Sequence, residues 1–246
     1  MADIEEQLWQ RVWKYAPILQ MVPFLKMSAI SNNLAFGTAT DKSDIDLFHV
    51  AETGRLFIVR SFVTMLLQLR GVRRHGDLVA GRFCLCFFVD KSAMGLGSLA
   101  IENDVYLAYW LAKLKPIVLR KGFDQRFLER NRWVESFFGN SNLELSSERI
   151  LRQNYFYLGV RWNLELVLGG RIGDWLESKL QKWQLARARA KSAGAGNEAS
   201  LVINEHVLKF HNVDRRRKYR RAWFDNYGNE ALTEEKFRTM LVLYKA

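Results

Sequence analysis

Residues 32–47 read NNLAFGTATDKSDIDL. At their end, Asp44 and Asp46 alternate with Ile45 and Leu47, the period-two pattern of a half-buried strand. On such a strand both carboxylates project from one face. Asp is disfavoured in strands and like charges on one face repel, so the pair costs stability unless a cation compensates. A hard divalent ion with oxygen ligands is one compensator, and an edge strand with a solvated polar face is the structural alternative. The Gly/Thr/Asp/Lys/Ser-rich run 36–43 reads as a turn, which places strands at residues 27–31 and 44–50.

Outward from this unit the pattern alternates. Leu8, Trp9, Val12 and Trp13 are at helical spacing in a segment, 5–20, that Pro17 bends or ends. Residues 56–69 return to helical spacing, 70–76 form a basic turn, and RFCLCFFV at 82–89 has the length and composition of a buried strand. Asn103 or Asp104 caps a helix running to Lys115 and stopped by Pro116. Beyond residue 123 the chain reads mainly helical, apart from 201–210, with KSAGAGNEAS at 191–200 as a loop. A mixed sheet covered by helices, with a helical C-terminal region, makes the fold class α+β.

The chain has 246 residues, 49% hydrophobic and 26% charged, which excludes a disordered or fibrous protein. A chain of this length buries roughly 70% of its unfolded surface and needs no disulfide or metal staple. Cys84 and Cys86 are too close in an apolar run to bridge easily, and no secretory leader opens the sequence, so the expected compartment is reducing and cytoplasmic. Arg60, Arg70 and Lys113 interrupt the apolar stretches short of the ~20 residues a membrane span requires. The net charge of +11 is uneven: residues 1–147 carry 18 Lys+Arg against 15 Asp+Glu, residues 148–246 carry 19 against 11. That field favours RNA or another polyanion without specifying which.

The stretch 32–47 resembles the signature of the minimal nucleotidyltransferases of the DNA polymerase beta superfamily. Gly37, Ser43, Asp44, Asp46 and Leu47 fall in register with it, and Asn32-Asn33 stand where the signature has Gly-Ser. Asn33 keeps a donor, and Asn tolerates a positive φ better than most residues. The resemblance implies a nucleotidyltransferase core over residues 1–120 and a helical, basic acceptor region over 121–246. It implies Mg²⁺ or Mn²⁺ on Asp44 and Asp46, and a nucleoside triphosphate, ATP in the first place, cradled by Asn32, Asn33, Gly37 and Ser43. The reaction would move a nucleoside monophosphate to a hydroxyl of RNA, protein or a small molecule; the alternative is a catalytically inactive nucleotide- or nucleic-acid-binding relative. The family's third carboxylate falls to Asp90, or to Asp77, with Cys84 and Cys86 standing where an acid is expected; Asp90 beginning a turn with Lys91 and Ser92 is the structural alternative.

Arg215, Arg216, Arg217, Lys218, Arg220 and Arg221 stand beside Tyr219, Trp223, Phe224 and Tyr227, a pattern fit for phosphate contacts and base stacking, or for a solvated helix whose aromatics pack inward. Lys179, Lys182, Arg187, Arg189 and Lys191 form a second basic face. Cys84 and Cys86 with His206 and His211 lack the usual zinc spacing and read as buried thiols. Tyr106, Tyr109 and Trp110 read as core, with base stacking the lesser alternative.

Overall fold

The computed structural model describes residues 3–139, 141, 143–192, 200–211 and 214–244. In chain order the elements are α1 (Ile4–Tyr15), β1 (Leu25–Ser31), α2 (Asn32–Phe36), β2 (Ile45–Ala51), α3 (Leu56–Leu69), β3 (Phe83–Asp90), α4 (Val105–Ala112), β4 (Lys115–Leu119), α5 (Phe123–Arg130), α6 (Tyr155–Leu168), α7 (Arg171–Ser192), β5 (Ser200–Ile203), β6 (Val207–His211), α8 (Arg216–Tyr227) and α9 (Glu234–Leu243). The protein is α+β: a six-stranded mixed sheet in the order β4-β1-β2-β3-β6-β5, flanked by helices, with further helices at the C-terminal end.

β2 and β3 are parallel and every other pair is antiparallel. Parallel neighbours need a long crossover, and α3 supplies it, so β2 and β3 start at the same end of the sheet. The strand expected at 44–50 begins one residue later, leaving Asp44 just outside it. The 36–43 turn is entered through the short α2. The helix expected to reach Lys115 stops at Ala112, and Pro116 lies inside β4. β4 is an edge strand, where a residue without an N–H is tolerated.

The core sits on both faces of the sheet. Phe48 of β2 packs against Phe87 of β3 at 5.0 Å and Trp110 of α4 at 5.2 Å between ring centroids. The division expected at residue 120 marks no break in this core: β6 pairs with β3 in the same sheet, and Val207, Leu208, Tyr219, Trp223 and Phe237 belong to one buried cluster with the N-terminal strands. Most of the loop expected at 191–200 lies outside the described residues, and residues 191 and 192 end α7. No described helix is long and apolar enough to cross a membrane.

Candidate functional site

β1 ends where α2 begins, and the chain makes that corner with Asn32 at φ +54°, a left-handed conformation that Asn adopts more readily than most residues. The corner aims the Asn32 amide across the strands: Nδ2 donates to Asp46 Oδ2 at 2.9 Å. Gly37, at φ +67°, ends α2, its N–H reaching the Asn33 carbonyl. Ser43 is buried, and its Oγ accepts from the Thr40 N–H at 2.9 Å. Gly37 and Ser43, expected to cradle phosphate, therefore build the turn that presents Asp44 and Asp46 and do not line the cavity beyond it.

Asp44 and Asp46 are both partly buried. Arg74, from the turn before β3, donates through Nη1 to Asp44 Oδ2 at 2.6 Å, and the same nitrogen is 3.8 Å from Cys84 Sγ. Burial first, and the Asp44 charge second, push the Asp46 carboxyl up to about 6, against the lowering pull of the Asn32 amide and two thiols.

Asp46 is level with Cys84 on β3, but Phe48 is level with Phe87, so β3 gains one residue on its neighbour between these points. This bulge lets Cys84, Cys86 and Phe87 all face one cavity, and bulges recur beside functional sites for this reason. Cys86 Sγ donates to Asp46 Oδ1 at 3.6 Å. Its hydrogen bond with Cys84, burial and the Asp46 charge push the Cys86 thiol well above its ordinary value. Thiols thus occupy the place where the resemblance expects a third carboxylate.

Asp90 stands elsewhere, and its assignment as a catalytic acid is corrected here. It pairs with Ala51 at the opposite end of β3, five residues along the strand from Asp46's level, about 16 Å away. Its Oδ1 accepts from the Ser92 and Ala93 N–H groups at 2.9 and 3.2 Å, and its Oδ2 pairs with His206 Nδ1 at 2.8 Å. It begins a helical turn, as Asp commonly does. His206 is held there, far from Cys84 and Cys86, so these four residues form no zinc site; the His211 side chain lies outside the description. Asp77 is exposed on the turn before β3.

The cavity at Asp46 has a volume of about 300 Å³. Asn32, Asn33, Asp46, Arg74, Cys84 and Cys86 line it together with Tyr106 and Trp110 of α4, Lys209 of β6, which is level with Phe87 on the neighbouring β3, and Asp214, Arg215 and Arg216. Burial, then the Arg216 charge, pull the Lys209 ammonium down to about 8. Arg216 pairs with Asp214 at 2.6 Å and donates to the Leu99 carbonyl at 2.6 Å. Of the six clustered basic residues, Arg215 and Arg216 reach the cavity; Arg217, Lys218 and Arg221 are on the exposed side of α8, and Arg220 lies 4.0 Å from Glu102. Tyr219 and Trp223 are buried, with Tyr219 stacked on Tyr106 at 5.1 Å, so these two rings pack inward rather than presenting faces to bases.

Exposed aromatics are found instead on α7, where Trp175, Lys179 and Trp183 recur every fourth residue and share a face. Arg187 covers the Trp183 ring at 6.0 Å.

Sequence reasoning did not nominate Arg74, Lys209 or the cavity-facing orientation of the two thiols. The basic turn 70–76 was the available signal for Arg74, because a parallel crossover returns it to the end of the sheet where β2 begins. No protein-family model, curated protein or solved structure matches the chain.

Proposed function

We propose that the cavity binds a nucleoside triphosphate with a divalent ion and transfers its nucleotidyl group to an acceptor hydroxyl. The observation that carries this proposal is Asp46, its carboxylate paired with Asn32 and opening on a cavity also lined by Lys209, Arg215 and the Asp214-paired Arg216. An anionic chain of phosphates suits these cations, and the Tyr106 and Trp110 rings suit a base or ribose.

Asp44 and Asp46 supply enough oxygens for an ion that also takes phosphate oxygens and waters, and the ion would displace Arg74 as the local counter-charge. When bound, it would lower the charge on the phosphates and polarise the reacting oxygens. The chain's own contribution is positioning: Asn32 fixes the orientation of Asp46, and Lys209 and Arg215 hold the phosphates. The exposed face of α7, with Lys179 between Trp175 and Trp183, suits a single-stranded RNA acceptor, since aromatic stacking and cationic side chains together hold unpaired bases.

A second reading, nucleotide binding without transfer, is favoured by one pairing: Arg74 already neutralises Asp44. Label transfer from α-phosphate-labelled ribonucleoside triphosphates to an RNA oligonucleotide separates the two. Labelled RNA with the wild type and none with Asp44→Asn or Asp46→Asn supports transfer; metal-dependent nucleotide binding with no transfer under any condition supports the second reading.

A further inference from the structure

We propose that Asp46, Cys84 and Cys86 form a three-ligand site for a thiophilic divalent ion, Zn²⁺ in the first place, with the fourth position open to the cavity. The site is an alternative occupancy of Asp46, with the two thiols as ligands in place of Asp44; it rests on the proposal above for the cavity's role, while the metal site itself stands on side-chain geometry.

Asp46 Oδ1 and the sulfurs of Cys84 and Cys86 all lie within 4.8 Å of one another, the sole cluster of its kind among the described residues. Zinc binds thiolate at about 2.3 Å and carboxylate at about 2.0 Å, which makes the S-to-O edge of a tetrahedral site about 3.5 Å. The Cys86 Sγ to Asp46 Oδ1 separation is 3.6 Å. That edge already has the length of a coordination edge, and the two edges to Cys84 lie within 4.8 Å.

Three features fit the cluster to a metal rather than to packing alone. Alternation along β3 turns both thiols to the cavity, so a fourth ligand, water or a phosphate oxygen, has access. Three protein ligands with one open position is the arrangement of zinc sites that do chemistry, whereas structural sites close all four. Asn32 holds the outer oxygen of Asp46, the kind of second contact that orients a ligating carboxylate, and Arg74 stands 3.8 Å from Cys84 Sγ to offset thiolate charge. On binding, both thiols lose their protons to solvent and the ion takes their place. Mg²⁺, which prefers oxygen, gains nothing from two sulfurs, so the site selects against it.

The test uses the full chain, reduced and stripped of metal, titrated with Co²⁺ as a spectroscopic stand-in for zinc. The expected result is thiolate-to-metal charge transfer in the near ultraviolet and strong tetrahedral ligand-field bands, saturating at one ion per chain and erased by added Zn²⁺. Removing inner ligands should cost at least the about 100-fold upper range seen for outer-shell changes, so Zn²⁺ should bind Cys84→Ser/Cys86→Ser more than about 100-fold more weakly. Absence of charge transfer in the wild type overturns the proposal whatever the variant does, and so does an unchanged spectrum in the double variant. If the wild type shows no such spectrum but Mg²⁺ with a triphosphate still stabilises the protein, the thiol site fails and the nucleotide site stands. If the spectrum appears and no triphosphate binds with any ion, the metal site stands and the nucleotide proposal fails.

Discussion

Arg74 Nη1 and Asp44 Oδ2 stand 2.6 Å apart, placing a guanidinium beside the carboxylate pair where the sequence alone calls for a metal cation. The Arg74 side chain is 40% exposed, which keeps the pair within the about 0.2–1 kcal/mol range of solvent-screened pairs. Arg74→Gln is expected to lower the melting temperature by about 0.4–4 °C in metal-free buffer. Divalent ions should then restore more stability to the variant than they add to the wild type, as read by differential scanning calorimetry.

Asp46 gives the site its own pH signature. Its folded value of about 6 exceeds its ordinary value of 3.8, so folding opposes ionisation. The destabilisation is fully present above about pH 6 and fades as pH falls towards 4, at up to about 1.4 kcal/mol per pH unit. Asp46→Asn keeps an acceptor for the Asn32 amide and removes the charge. The variant should be more stable than wild type at pH 7, with the gain vanishing near pH 4 in paired urea titrations, while nucleotidyl transfer is lost.

His49 sets a second pH dependence away from the cavity. Its ring is fully buried, stacks on Phe88 at 4.5 Å, and has no hydrogen-bond partner for either nitrogen among the described residues. Burial pulls its value down from 6.5 to about 3. The neutral ring is tolerated, so its stability is intact above pH 6.5 and is lost as pH falls from 6.5 towards 3. His49→Leu should move the acid-unfolding midpoint to lower pH, followed by circular dichroism; an unmoved midpoint would contradict the assignment.

Lys209 makes anion binding sensitive to base. At about 8 its ammonium begins to discharge within reach of ordinary buffers. Triphosphate affinity should fall as pH rises through 8 in the wild type. In Lys209→Met it should be weaker at pH 7 and flat across that range, measured by isothermal titration calorimetry.

The α7 face makes a separate prediction for RNA. Lys179→Ala should lower the slope of log affinity against log salt by about 1 unit. Trp183→Ala should weaken binding by about 1–3 kcal/mol with little change of slope, because stacking releases no counterions. Fluorescence anisotropy with a labelled single strand reads both; substitutions on α8 that weaken binding more than these would shift the interface there.

Much of the sheet was legible, SDIDLFHV through its alternating start and RFCLCFFV through its short apolar, aromatic composition: they fall on β2 and β3 within a residue of their expected bounds. β4 was hidden because Pro116 stops helices and signals an edge strand only once the sheet order is known. The site was legible as far as Asp44 and Asp46. The register shift at Cys86 is a property of two strands together, so one sequence gives no sign that the thiols meet Asp46. Asp90 misled because a cap and a catalytic acid use the same residue type, and only the strand register separates them. The aromatics of α8 stand beside a basic run in sequence, yet the helical period turns Tyr219 and Trp223 inward.

The most direct measurement is the thermal shift of the wild type and Asp46→Asn with each ribonucleoside triphosphate, in metal-free buffer and with Mg²⁺, Mn²⁺ or Zn²⁺. A ligand at 100 times its Kd adds about 2.7 kcal/mol, or about 5–10 °C for a chain of this size. The account predicts a rise of that order with at least one triphosphate that needs a divalent ion and disappears in Asp46→Asn. No rise with any combination, or an equal rise in the variant, would contradict it.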